Sequence, residues 1–289
     1  MRTSIIIPHC VMEDTTNLRN CLRTLAIQTV KPHQVIIMDV SNDTMQLTGG
    51  WSDWANVGLL CKQFDVELIH LPFRYHLPNW AEMFNTAFKK VTGDAIMLLC
   101  ANWLLARYAL EAMQLGLEQA GPGHIVVSDS QRQQMSSALG EPIDWYGDFA
   151  RRCLPVTNYV LPSMGELAMF QVPTDTLAQV SQIDVGYLTI LHKEDWLPWD
   201  EEFDTVGGWH AVVEWGFRQL VDHNRKLMVL RGLLAWHQPT GFTFNTSKGQ
   251  WIEQTKQSEA MLTRKLEGRV QDGGGRGGNV IRKGESNVE

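Results

Sequence analysis

The chain has 289 residues, 44 % of them apolar, and a formal net charge of −7. That length and apolar share suit one large buried core, or a core with a small appended lobe. The acidic balance disfavours non-specific nucleic-acid binding, which needs a basic face, and no window approaches the roughly eighteen uncharged apolar residues of a membrane span.

Met1-Arg2-Thr3 leads into a short apolar strand rather than a signal-peptide pattern, so a cytoplasmic protein is expected. The strand is Ser4-Ile5-Ile6-Ile7-Pro8. A helix follows with Leu18, Cys21, Leu22, Leu25 and Ala26 on one face, and Val35-Ile36-Ile37-Met38 forms a second strand ending at Asp39. This βαβ unit predicts a nucleotide-type α/β sheet, whose ligands sit outside the carboxyl ends of its strands. Pro8, Asp39 and the loop after Asp39 are therefore the first candidate site.

Residues 40–60 read as loop and a short helix, and 66–70 as a third strand. Pro78-Asn79 opens a helix in which Asn79 is the expected N-cap and Glu82 completes a capping-box pattern. Its apolar face is Trp80, Met83, Phe84, Ala87 and Phe88. Gly93-Asp94 closes it, and the unbroken apolar run Ala95–Leu99 suits a strand covered on both faces. A helix over 105–120 and a strand over 125–128 come next. Residues 130–165 lack periodicity and read as loops over the sheet edge. Strands are expected near 166–172, 185–192 and 227–230, and helices over 208–223 and 250–267. The first of those helices carries Val213, Gly216, Phe217, Leu220 and Val221 inward. The glycine-rich stretch Asp272–Gly278 is expected to be disordered.

Five cysteines, at 10, 21, 61, 100 and 153, form no CxxC pair and are odd in number. That predicts reduced thiols, several of them core fillers, without a disulfide framework or structural zinc. Eleven tryptophans are present, and Trp51, Trp54, Trp145, Trp196 and Trp199 lie in polar, loop-like company. Packing and sugar stacking both fit them.

Taken together, these segments resemble the inverting family 2 glycosyltransferases over roughly residues 3–240. The likeness rests on Ser4–Pro8, Asn17-Leu18, Cys21-Leu22, Gln28-Thr29 and Pro32, then Val35–Asp39 with Ser41-Asn42-Asp43. Asn85 in Phe84-Asn85-Thr86-Ala87, Gly93-Asp94, Trp199–Phe203, Gly216-Phe217-Arg218 and His237 complete it. The resemblance implies a GT-A-like fold, α/β and Rossmann-type, with three α/β/α layers around a central, mostly parallel sheet. One domain over 1–268 is expected, its nucleotide-binding half about 1–105 and its acceptor-side half about 106–268, with a tail over 269–289.

By the same resemblance Asp39 bonds the base of a nucleotide-sugar, foremost a UDP-sugar. Pro8 and Ser41 line that pocket, with Asn85, Asn102 and His237 as further donor-side contacts. The implied chemistry is displacement at the anomeric carbon, which needs a base for the acceptor hydroxyl and neutralisation of the departing diphosphate. The family usually meets the second need with an Asp-x-Asp holding Mn²⁺ or Mg²⁺.

This chain departs there. Cys100-Ala101-Asn102 follows the fourth apolar strand, and the usual Glu-Asp pair of the later helix falls on Ala211 and Val212. His210 and Glu214 nearby, and Asp200 and Glu201, are the remaining candidate catalytic groups. His210 reads equally as a base or as a surface residue at a helix start, and Glu214 as a base or a solvated side chain. For Cys100 a small buried hydrophobe fits better than a nucleophile.

Three readings stand. One is an inverting transferase with weak or absent dependence on divalent metal, Arg74, His76 and Arg218 supplying charge. Another is a degenerate GT-A-like binding or partner subunit. The last is a transferase for a macromolecular acceptor, with residues 130–165 forming its cleft. The acceptor is a glycan, protein or other hydroxyl-bearing molecule; net charge disfavours nucleic acid.

Overall fold

The computed structural model describes residues 1–10, 15–40, 54–71, 79–128, 169–172, 188–203, 209–230, 235–237, 248–265, 270–273 and 278–281. The first three strands are β1 (Thr3–Cys10), β2 (Gln34–Val40) and β3 (Glu67–His70), linked through α1 (Thr15–Ala26) and α2 (Trp54–Phe64). Then come α3 (Trp80–Phe88), β4 (Ala95–Leu99), β5 (Trp103–Leu105), α4 (Ala109–Ala120) and β6 (His124–Ser128). The second half contributes β7 (Met169–Val172), β8 (Leu188–His192), α5 (Trp209–Phe217), β9 (Lys226–Leu230), β10 (Ala235–His237) and α6 (Lys248–Lys265). Among the described residues no helix is long and apolar enough to cross a membrane.

Among the described residues eight strands form one sheet in the order β3-β2-β1-β4-β8-β6-β9-β7. β3, β2, β1 and β4 run parallel, as do β6 and β9, while β8 is antiparallel to both its neighbours and β7 to β9. The sheet is thus mostly parallel and flanked by helices, as expected. All five residues of β4 are buried. Since successive side chains face opposite sides, that needs cover on both faces.

Strand order reverses between β1 and β4, the place where such sheets open a ligand crevice. The β1–β4 ladder ends at Ile6 and Leu98. Pro8, two residues on, has no N–H with which to extend it, which favours a gap at this edge.

Local signals explain much of the helical layer. Asn79 caps α3 by accepting from the Glu82 N–H at 3.0 Å. Gln28 donates to the Thr24 and Ala106 carbonyls at 2.9 and 2.8 Å and accepts from the Leu110 N–H at 3.0 Å, joining the end of α1 to the start of α4. Gly93 lies so close to β1 that a Cβ there would stand 2.6 Å from the Arg2 carbonyl.

Differences from the sequence expectations have physical causes. The helix expected over 105–120 starts at Ala109, because Trp103–Leu105 pairs antiparallel with Ala235–His237, a contact between segments far apart in the chain. The helix expected over 208–223 is α-helical only to Phe217 and continues as a π turn through Asp222. At the two ends of the glycine-rich stretch, Val270–Gly273 (β11) and Gly278–Ile281 (β12) pair antiparallel, and residues 274–277 between them lie outside the described residues.

Trp196 and Trp199 are 8 % and 2 % exposed, which removes them from the sugar-stacking candidates. They belong to a continuous run of rings, Phe88–Trp196–Trp215–Trp199–Phe84–Trp80, with centroid spacings of 5.0, 6.0, 5.0, 4.7 and 6.0 Å. The run ties α3 and α5 to the chain between β8 and α5. Cys21, Cys61 and Cys100 are buried free thiols.

Candidate functional site

At the carboxyl edge three strand ends lie side by side. Register sets His9 beside Asp39 and Asp39 beside His70. Laterally paired residues of neighbouring strands share a face, so the three form a row. His9 Nδ1 is 2.8 Å from Asp39 Oδ1, both side chains being fully buried. His70 Nδ1 is 3.4 Å from Asp39 Oδ2 and that side chain is 40 % exposed. The carboxylate therefore sits between two imidazoles, and His70 is the outermost of the three. A buried carboxylate is tolerable only with partners of this kind. Burial, and after it the Asp39 charge, pushes the Cys61 thiol up to about 11, which keeps it unreactive.

The other wall of the crevice is the turn after β4, where the Trp103 N–H donates to the Cys100 carbonyl at 3.2 Å. Cys100, Ala101 and Asn102 are all buried. The β5–β10 pairing sets His237 opposite Trp103, next in sequence to Asn102. This donor set does not fit Mn²⁺ or Mg²⁺: a thiol and a neutral amide stand where hard carboxylate oxygens are needed. Among the described residues no group of three His, Cys, Asp or Glu side chains is arranged to hold a metal ion.

Residues 195–203 form an irregular strap whose backbone is held by side chains from several elements. Trp215 Nε1 donates to the Leu197 carbonyl, and Arg218 Nη2 to the Pro198 carbonyl, each at 2.8 Å. Asn85 holds Trp199 in both directions, donating to its carbonyl and accepting from its N–H, both at 2.8 Å. Asn79 Nδ2 donates to the Glu201 carbonyl at 2.7 Å, and Asn85 Nδ2 to Glu201 Oε1 at 2.9 Å. Asn85 is thus engaged in holding the strap. The strap passes Asn85 and then Asn79, toward the N-terminus of α3; in a βαβ unit that end lies at the carboxyl edge of the sheet. Glu201 is held at that end of α3 and is exposed.

His210 and Glu214, four residues apart on α5, are both buried, at 8 % and 4 %. The solvated reading of Glu214 and the surface reading of His210 are therefore corrected: every residue from His210 to Phe217 is buried. Ser258 of α6 hydrogen-bonds His210 Nδ1. Burial holds the His210 pKa at about 4, which makes it a weak base at neutral pH. Glu214 takes a two-pronged ion pair from Arg218, Nε to Oε1 at 2.5 Å and Nη2 to Oε2 at 2.9 Å. Burial raises the Glu214 pKa nonetheless, with Arg218 opposing. Arg218, which the sequence offers as a charge for the diphosphate, is engaged here by Glu214 and Pro198.

The His210 shift gives a pH prediction. The folded value lies below the ordinary 6.5, so between about 6.5 and 4 the unfolded chain binds the extra proton and stability falls as pH is lowered through that window. The loss attributable to His210 is on the order of 3 kcal/mol. Glu214 acts oppositely, since a raised carboxyl favours the fold below its ordinary value. Urea unfolding of wild type and His210→Gln at pH 7 and pH 4.5 separates the two. The variant is expected to lose less stability on acidification, and equal losses would refute the assignment.

Ser41, Arg74, His76 and residues 130–165 lie outside the described residues. The sequence patterns do not single out His9, His70, Lys265 or Ser258. The first two are within their reach: both lie at the ends of strands that the apolar runs reveal, at the level of Asp39. No local signal marks the other two.

No family model and no curated protein matches this chain. Solved structures do. S. aureus TarS 1–349 matches with a TM-score of 0.57 at 12 % identity, over 92 % of this chain and 65 % of that one. TarS 1–349 in complex with UDP matches at 0.55 and 12 %, over the same shares. Glucosyl-3-phosphoglycerate synthase from Mycobacterium tuberculosis, in complex with Mn²⁺, UDP and glucosyl-3-phosphoglycerate, matches at 0.50 and 12 %, over 91 % and 79 %. The chain spans 40 % of the length of the longer TarS structure. At such identity the likeness is one of fold, and it supports the GT-A-like architecture.

Proposed function

We propose that the protein is a glycosyltransferase that moves a sugar, with inversion, from a nucleotide-sugar to a hydroxyl-bearing acceptor without a divalent cation. The observation that carries this reading is the buried Asp39 carboxylate beside the β1/β4 crevice, flanked by His9 and His70. A carboxylate is an acceptor suited to the imide N–H of uracil, and a base reaching Oδ2 would take the place of His70. The UDP in the TarS and synthase complexes makes a UDP-sugar the first donor to test.

Of the four candidate bases, Glu201 fits best. His210 is closed by Ser258 and Glu214 by Arg218, whereas Asp200 is paired with Lys265. In the proposed step the acceptor oxygen attacks the anomeric carbon and its proton passes to Glu201. The bond from that carbon to the diphosphate oxygen breaks, and its electron pair leaves with the nucleoside diphosphate.

Calorimetric titration with UDP and UDP-sugars in EDTA, followed by an assay of released UDP, tests the reading. Binding and turnover are expected in EDTA, with affinity altered less than about threefold by Mn²⁺, under 1 kcal/mol. Silence toward every nucleotide would refute the donor pocket. Turnover abolished by chelation and restored by Mn²⁺ would refute metal independence.

One observation favours a degenerate binding subunit instead: Ala211 and Val212, where the family's acid pair falls, are buried apolar residues. Binding without turnover would select that reading.

A further inference from the structure

The acceptor-side acids are tied to a helix near the end of the chain. Lys265, the last residue of α6, forms an ion pair with Asp200 and another, at 2.8 Å, with Glu202 Oε2. Its ammonium also lies 5.5 Å from the centroid of the Phe203 ring, and Phe203 is fully buried. Burial pulls the Lys265 pKa down, but the two carboxylates raise it on balance, so it stays charged. A cation also suits the C-terminal end of a helix. The latch reaches the backbone, because Asp200 Oδ1 accepts from the Glu202 N–H at 3.1 Å and the Asp200 carbonyl from the Phe203 N–H at 3.2 Å.

Three acids stand in a row here, and Lys265 engages two of them. Glu201, between them, has no cationic partner among the described residues; its Oε1 accepts from the neutral Asn85 amide. Clamped by α3 on one side and α6 on the other, the strap presents one unneutralised carboxylate in a fixed place. Fixing a reacting group removes an ordering cost from the chemical step.

We infer that Lys265 is a positioning residue: it latches α6 onto Asp200 and Glu202 so that Glu201 is held for the acceptor hydroxyl. The role of Glu201 rests on the glycosyl-transfer reading, whereas the latch does not. Lys265 itself touches neither donor nor reacting atoms in this scheme.

Two measurements on Lys265→Met and Lys265→Arg keep those questions apart. In amide hydrogen exchange, Lys265→Met is expected to speed exchange at Glu202 and Phe203 at least tenfold while β4 is unchanged, and Lys265→Arg to restore protection. Unchanged exchange at those amides overturns the latch, whether or not the protein is an enzyme. In UDP-glucose turnover with water as acceptor, Lys265→Met is expected to lower kcat at least tenfold, to leave the UDP Kd within about twofold, and to be rescued by arginine. Full kcat in Lys265→Met overturns the positioning role. Loss of UDP binding by the wild-type protein would instead refute the donor-pocket reading, with exchange still deciding the latch.

Discussion

Replacing Asp39 with alanine is expected to weaken UDP binding at least a hundredfold, about 3 kcal/mol. A hydrogen bond to a charged group contributes roughly 1.5–3 kcal/mol, and the substitution also removes the acceptor facing the fully buried His9. The fold should weaken at the same time, by about 1–3 kcal/mol for a buried donor left without its partner. Thermal unfolding without nucleotide therefore accompanies the calorimetry, and titrations are run well below the variant's midpoint. Asp39→Asn separates charge from shape, because it keeps an acceptor oxygen while adding an N–H that faces the imide. It should bind UDP less well than wild type even where its stability is close to normal. An Asp39→Ala protein that is folded and binds UDP with wild-type affinity would refute the assigned role.

Trp215→Ala should be among the most damaging changes in the core. Trp215 is fully buried, stacks on Trp199 at 5.0 Å with an 11° interplanar angle, and touches Trp196 at 6.0 Å. Its Nε1 donates to the Leu197 carbonyl. Truncating a buried aromatic of this size costs about 3–5 kcal/mol through lost transfer energy and the cavity left behind. Since a domain is stable by only about 5–15 kcal/mol, that is a large share of the whole. Urea unfolding should show the midpoint falling accordingly. Trp215→Phe should recover most of the loss, lacking chiefly the N–H bond, worth about 1 kcal/mol. A loss below about 1 kcal/mol in Trp215→Ala would mean that the ring run is not a unit of the core.

Asp39 and Trp215 are opposite kinds of residue. Asp39 is legible in the amino-acid sequence, because an apolar strand ending in an acid after a βαβ unit has a defined place in a parallel sheet. Trp215 is not, since the periodic reading of this helix turns Val213, Gly216 and Phe217 inward, whereas every residue from His210 to Phe217, Trp215 included, is buried. Trp196 and Trp199 are equivocal for a related reason: their neighbours in the chain are polar, whereas their burial depends on α3 and α5 closing over the strap. Asn85 matches a family segment, but its use in holding Trp199 and Glu201 becomes visible only when two stretches more than a hundred residues apart come together.

Contiguous residues specify the parallel βαβ half of the sheet, the Asn79 cap, the crevice edge at Pro8 and Asp39, and the lack of acids at Cys100–Asn102 and at Ala211-Val212. Each is written locally, as a period of two or 3.6, a cap, or a missing carboxylate. Chain folding was needed to settle the antiparallel insertion of β8 between β4 and β6, the β5–β10 pairing, the His9–Asp39–His70 row, and which acids are engaged by cations. Those outcomes depend on pairings and burial between distant segments. Local propensity carries no information about them, nor about the burial that lowers the His210 pKa and raises that of Glu214 or the two carboxylates that raise that of Lys265.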